Sequence, residues 1–137
     1  MARQNDAVTT ASRSWNTAVG TGLLRVVVGA SLVRWRRPLA RRVGGAADGD
    51  RVLPLMFGYF GVRDMTVGVM TLAATRPDGD VPRAVVWQGV ADTTDAALVA
   101  AVMSTGRLSR SRGIAAAVVA VVSAAGEFVT AARLRRR

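Results

Sequence analysis

The chain contains no cysteine, no histidine and no lysine. Without cysteine there are no disulfides, no thiolate nucleophile and no thiolate metal ligand. Without histidine there is no imidazole site, no haem ligation through imidazole and no triad built on a histidine base. The lack of lysine removes Schiff-base chemistry and the phosphate-binding lysine of a P-loop, so all 19 basic residues are arginine. Aromatic residues make up only 5% of the chain. Long charge-free runs are also missing: the longest, Gly113–Gly126, falls short of the roughly 18 residues that mark a membrane span on their own.

What is present is apolar and small. Half of the 137 residues are hydrophobic and 14 are glycine, a composition that suits closely packed helices in a single domain. Arginine replacing lysine throughout, beside heavy use of Ala, Val and Gly, points to a GC-rich bacterial genome. The net charge of +10 raises the possibility of nucleic acid. The arginines, however, cluster at the edges of apolar stretches: Arg34, Arg36, Arg37, Arg41 and Arg42, then Arg107, Arg110 and Arg112, then Arg133, Arg135, Arg136 and Arg137. That placement fits anionic headgroups of a lipid bilayer, and no nucleic acid is expected.

Four apolar stretches cover about 16–33, 53–75, 84–105 and 113–132, between a polar tail at 1–14 and a basic tail at 133–137. No apolar run starts close enough to the first residue for a cleaved signal peptide. The reading is an all-α four-transmembrane-helix bundle, 15–132, with short basic loops. The first stretch is slightly short unless Trp15 and Trp35 mark its interfaces. Breaks are expected at Pro38, at Gly44-Gly45, over "TRPDGDVPR" and over "TGRLSRSRG". A soluble helical bundle is the alternative. Against it, each helix carries a narrow polar line rather than a narrow apolar one: Gln88, Asp92 and Asp95 at i, i+4 and i+7, Ser123, Glu127 and Thr130 at the same spacing, and Gly22, Arg25 and Gly29. The arginines divide almost evenly between the two sides, so the positive-inside rule assigns no orientation.

Charge sorted by depth is the informative feature. Arg25 lies near the middle of the first stretch, Arg63 and Asp64 at the middle of the second, and Asp92 and Asp95 bracket the middle of the third, with Glu127 about 7 Å from the middle of the fourth. Ionisable groups at such depth face the bundle interior and pair. Arg63 and Asp64 are neighbours, about 100° apart around a helix, and are expected to reach different partners: Arg63 to Asp92 or Asp95, Asp64 to Arg25. The six residues carry a formal charge of −2. The surplus is neutralised by protons, relieved by hydration of Glu127, or shared with a cation or basic ligand; alternatively, the charges only set helix register and partner choice.

Gly22, Gly29, Gly58, Gly61 and Gly68 are read as helix-packing positions. "DTTD" has a carboxylate spacing compatible with a divalent cation but lacks further donors, so no metal and no cofactor are expected.

The segments "FGYFGVRDMTVGVMTL" and "WQGVADTTDAALVA" together resemble an uncharacterised family of small four-helix integral membrane proteins with a Gly-x-Arg-Asp motif in the second helix, here Gly61, Arg63 and Asp64. The resemblance covers about residues 20–105 and leaves out Glu127 and the basic tail. It implies a membrane protein and assigns no activity. Three function classes follow from the residues: an interaction or accessory protein docking on a membrane partner or on a second copy, a small carrier of a lipophilic ligand, and a membrane enzyme with Asp92 or Asp95 as acid or base and Arg63 on a developing anion.

Overall fold

The computed structural model describes residues 2–44 and 51–135, with side chains for 16–43 and 51–135. Four helices account for nearly all of these residues: α1 Ala2–Gly44, α2 Val52–Ala74, α3 Val81–Ser104 and α4 Arg110–Arg135. Among the described residues there is no strand.

Three helices are longer than their apolar stretches because helix continuation depends on breakers and caps, not on apolarity alone. α1 runs through the polar segment expected to be a tail, and through the basic segment that follows the apolar stretch. It bends at Trp35, whose backbone (φ −109°, ψ 17°) is non-helical, three residues before Pro38. Proline removes one helical donor and crowds the preceding turn, so the expected break is a kink. The side chain of Trp15, expected at an interface, and residues Gly45, Arg136 and Arg137 lie outside the described residues. Trp35 is exposed. α3 starts three residues before its expected position because the Asp80 carboxylate accepts from the Arg83 backbone N–H at 2.9 Å, an N-cap followed by Pro82 in the first turn. α3 ends at Ser104, and Gly106 just beyond it is the one positive-φ residue among those described (φ 71°), its N–H reaching the Met103 carbonyl at 3.0 Å.

The helices pack as two hairpins. α1 lies against α2 and α3 against α4, while the hairpins meet chiefly through α2 and α3. Glycine sets the first pairing: a Cβ on Gly68 would lie 2.6 Å from the Gly22 carbonyl oxygen, and one on Gly61 would lie 2.5 Å from that of Gly29. Each helix places its two glycines seven residues apart, so both meet the partner along one antiparallel seam. Gly58 is different. Its nearest neighbour is the Arg36 side chain at 3.6 Å, an ordinary contact, so it is not part of the close approach. In the second hairpin the Phe128 ring lies on Gly89.

An apolar cluster of Ala40, Leu53, Met56, Phe60, Val99, Val102 and Leu108 closes the end of the bundle where α1 finishes and α4 begins. There Arg112 of α4 donates to the Val43 carbonyl at 2.5 Å. At the opposite half the fully buried Gln88 donates to Thr71 Oγ1 at 2.5 Å, and Thr71 donates in turn to the Val67 carbonyl.

Two helical segments, Asn16–Val43 of α1 and Arg110–Arg135 of α4, are long and apolar enough to cross a membrane. α2 and α3 do not reach that standard separately: Arg63 and Asp64 interrupt one, and Gln88, Asp92 and Asp95 the other. The outer surface is nonetheless apolar on all four helices, with Leu24, Val27, Leu55, Val62, Trp87, Val119 and Val122 among the exposed side chains.

Candidate functional site

The helical seams determine where the charges go. Arg25 lies midway between Gly22 and Gly29, and Arg63-Asp64 midway between Gly61 and Gly68, so the close approach of α1 and α2 brings these residues to one level. On α3 the spacing of Gln88, Asp92 and Asp95 turns all three toward α2. Glu127 arrives from α4, so all four helices contribute to the cluster.

Arg25 is its hub. Its Nη1 donates to Asp64 Oδ1 at 2.9 Å and to Asp92 Oδ1 at 3.1 Å; its Nη2 donates to Asp92 Oδ2 at 2.8 Å and to Glu127 Oε1. The planar fork therefore holds Asp92 with two hydrogen bonds while ion-pairing with carboxylates from α2 and α4. Arg63 Nη2 reaches Asp95 Oδ2 at 2.6 Å, Asp64 Oδ1 at 2.7 Å and Asp92 Oδ1 at 3.5 Å. Arg63 thus reaches Asp95 and Asp64 meets Arg25, the partners expected for each, but Arg63 also contacts Asp64, which is not expected of neighbours diverging around a helix. Their Cα–Cβ bonds diverge, but the arginine side chain is long enough for Nη2 to reach both Asp64 and Asp95. Asp64 Oδ1 accepts from both arginines at once.

All six side chains are largely buried; Asp92 is the most enclosed, at 7% exposure. Two arginines against four carboxylates leave a formal −2. The imbalance has an address in the geometry. Asp95 Oδ1 and Glu127 Oε2 are buried acceptors without a hydrogen-bond partner, and Arg25 Nε, Arg63 Nε and Arg63 Nη1 are donors in the same condition. Buried polar groups of this kind lose free energy unless something pairs with them. Among the described residues, no group of three or more Asp, Glu, His or Cys side chains converges as metal donors. In the cluster the arginine forks stand between the carboxylates.

Two cavities adjoin the cluster on opposite faces, both in the gap between α1 and α4. The larger, about 760 Å³, is a chamber reaching from Arg25, Arg63, Asp92 and Asp95 toward the apolar end of the bundle. Its walls are Leu, Val, Phe and Ala side chains, and the exposed Leu24, Val28 and Val119 stand on its rim. The smaller, about 420 Å³, runs from Ser123 and Glu127 to the other end of the bundle, where α3 begins at Val81 and α4 finishes near Leu134.

The depth count of charges identifies the members of the cluster, but Thr71, Gly89 and Phe128 do not stand out in the sequence. A buried threonine hydroxyl opposite a glutamine on another helix has no local signal, and Gly89 is the single glycine of α3, with no second one at helical spacing to mark a seam.

Comparison with known protein families, with curated proteins and with solved structures returns no match. The Gly-x-Arg-Asp resemblance therefore rests on its own residues.

Proposed function

We propose that the protein is a four-span membrane protein whose chamber binds a lipophilic organic cation. Its apolar outer surface supports the membrane placement. Large side chains such as Leu24 (62% exposed), Leu55 (66%) and Val119 (66%) face outward while six charges face inward, the reverse of a water-soluble bundle. The charges that interrupt α2 and α3 are paired inside the bundle, which lowers the cost of placing those helices in lipid.

The observation that carries the ligand reading is the chamber itself. Its volume lies in the range of small-molecule sites, its walls are apolar, and its polar end sets Asp64, Asp92 and Asp95 against Arg25 and Arg63, a surplus of one negative charge, with Asp95 Oδ1 an unpartnered acceptor beside the unpartnered donors of Arg25 and Arg63. A protonated amine on a hydrocarbon or aromatic body matches each of these features, and the rim on the gap between α1 and α4 would admit it sideways from the bilayer. Arg63 and Asp92 serve in this reading to hold Asp95 in place.

The test is equilibrium binding of a fluorescent long-chain primary amine to the purified protein in mild detergent, with the alcohol of the same chain as the neutral control. Saturable amine binding, weak alcohol binding and loss of the difference in Asp95→Asn are expected. Equal binding of amine and alcohol overturns the cation reading. Absence of binding together with stoichiometric copurification of another membrane protein favours the accessory role, in which the cluster sets only helix register.

A further inference from the structure

The polar content of the smaller cavity is out of proportion to the chain around it. Ser123, Glu127 and Thr130 are the polar side chains of α4 between Gly113 and Ala132, and all three line it. Thr17 and Thr21 of α1 and Gln88 of α3 supply the rest of its polar wall. The Thr21 and Thr130 hydroxyls donate back to the carbonyls of Thr17 and Gly126. Their donors are thus occupied within the helix and their lone pairs remain free for water.

The two cavities differ in where they lead. The smaller extends from the cluster to the end of the bundle at Val81 and Leu134, whereas the chamber, which shares Ser123 with it, is walled beyond its charged end by Leu, Val, Phe and Ala and reaches Phe60 and Val99 of the apolar end cluster. Polar side chains therefore line the approach to the cluster from one end, and apolar side chains line it from the other.

We propose that this cavity is an aqueous half-channel that delivers protons from one side of the membrane to Glu127, so that the charge of the ion cluster follows the pH of that compartment alone. The inference rests on the membrane placement, not on the identity of any ligand in the chamber.

Glu127 is suited to the role by its partners. One oxygen, Oε1, accepts from Arg25, while Oε2 lacks a partner. The groups facing it are Arg25 from α1 and, through Arg25, Asp92 from α3 and Asp64 from α2; Arg63 and Asp95 lie behind these. A hydronium ion in the half-channel transfers its proton to the Glu127 carboxylate, which lines the cavity, and leaves water. Arg25 then keeps Asp64 and Asp92, so the cluster survives the loss of one ion pair, and its formal charge moves from −2 to −1. Asp92 is less suited, because both its oxygens accept from Arg25.

The absence of cysteine makes the chain a ready background for accessibility mapping. Single-cysteine variants T130C and V129C, together with A116C in the chamber wall, are reconstituted into liposomes and treated with a charged, membrane-impermeant thiol reagent. D78C, in the turn between α2 and α3, and S109C, between α3 and α4, report the two ends. Flotation is read first, since a chain that does not float refutes the membrane placement and this proposal together.

For a chain that floats, T130C is expected to label with the sidedness of D78C, and V129C and A116C not at all. Labelling of T130C from the S109C side, or its complete protection, overturns the half-channel while leaving the membrane placement intact. Proton uptake is read by infrared difference spectroscopy between acid and neutral pH. A protonated-carboxyl C=O band is expected that is lost in E127Q and kept in D95N. Should E127Q fail to fold, E127D must shift the band; a band unchanged by either variant overturns the assignment to Glu127.

Discussion

Gly29 and Gly61 face each other across the α1–α2 seam so closely that a Cβ on Gly61 would come within 2.5 Å of the Gly29 carbonyl oxygen. Backbone and not a flexible side chain fills that space, so the contact cannot yield locally. Gly61→Ala is expected to cost about 1–3 kcal/mol through forced separation of the helices. Gly58→Ala, three residues away with its nearest atom at 3.6 Å, should be neutral or slightly stabilising. Thermal unfolding of the two variants in the same detergent compares them directly. Equal losses of stability would show that the seam is not where it is placed.

Arg25 joins carboxylates from three other helices, and this changes what a charge swap can do. Arg25→Leu should cost about 3–5 kcal/mol, since it strands a buried carboxylate set, and the variant is expected not to accumulate. Reversal of the Arg25–Asp64 pair alone should fail to rescue it, because an aspartate at position 25 would face Asp92 and Glu127. Arg25→Lys keeps the charge without the fork and should fall between wild type and Arg25→Leu. Membrane-fraction yield and unfolding midpoint give the order; full rescue by the swap would contradict the hub geometry.

Gln88 and Thr71 form a buried pair whose value lies in mutual satisfaction. Gln88→Leu and Thr71→Val each leave one polar group unpaired and should cost about 1–3 kcal/mol, while the double variant should lose less than the sum. A double-mutant cycle on unfolding free energy measures the coupling, and strict additivity would argue against the bond.

Insertion of α2 should depend on its partner. Central charges cost about 2.5–3.5 kcal/mol each on insertion scales, so α2 alone is expected to insert poorly into microsomes in a glycosylation-mapping assay. Arg63→Leu with Asp64→Leu should restore insertion of α2 alone. The intact α1–α2 hairpin should insert without those changes, because Arg25 meets Asp64 within it. Efficient insertion of unmodified α2 by itself would remove the need for hairpin pairing.

Much of this arrangement is written along the chain. Apolar runs, the Gly79 and Gly106 turns and the Asp80 cap mark four helices, since each acts through its own backbone and near neighbours, whereas Pro38 only kinks α1. Depth along each helix follows from the constant rise per residue, so the level shared by Arg25, Arg63, Asp64, Asp92 and Asp95 can be read by counting. The seven-residue glycine spacing likewise marks a seam before its partner is known. Azimuth and approach distance are different in kind, because they depend on every helix packing at once. Only the tertiary structure made Arg25 the hub in place of Arg63, paired Glu127 with Arg25, brought Arg63 onto Asp64, and left Gly58 out of the seam that holds Gly61 and Gly68. It also turned the interrupted helix of "GVRDMTVG" into one wall of a chamber, with Arg63 and Asp64 at its charged end. Cavities are what packing leaves unfilled, and no single stretch of sequence specifies them.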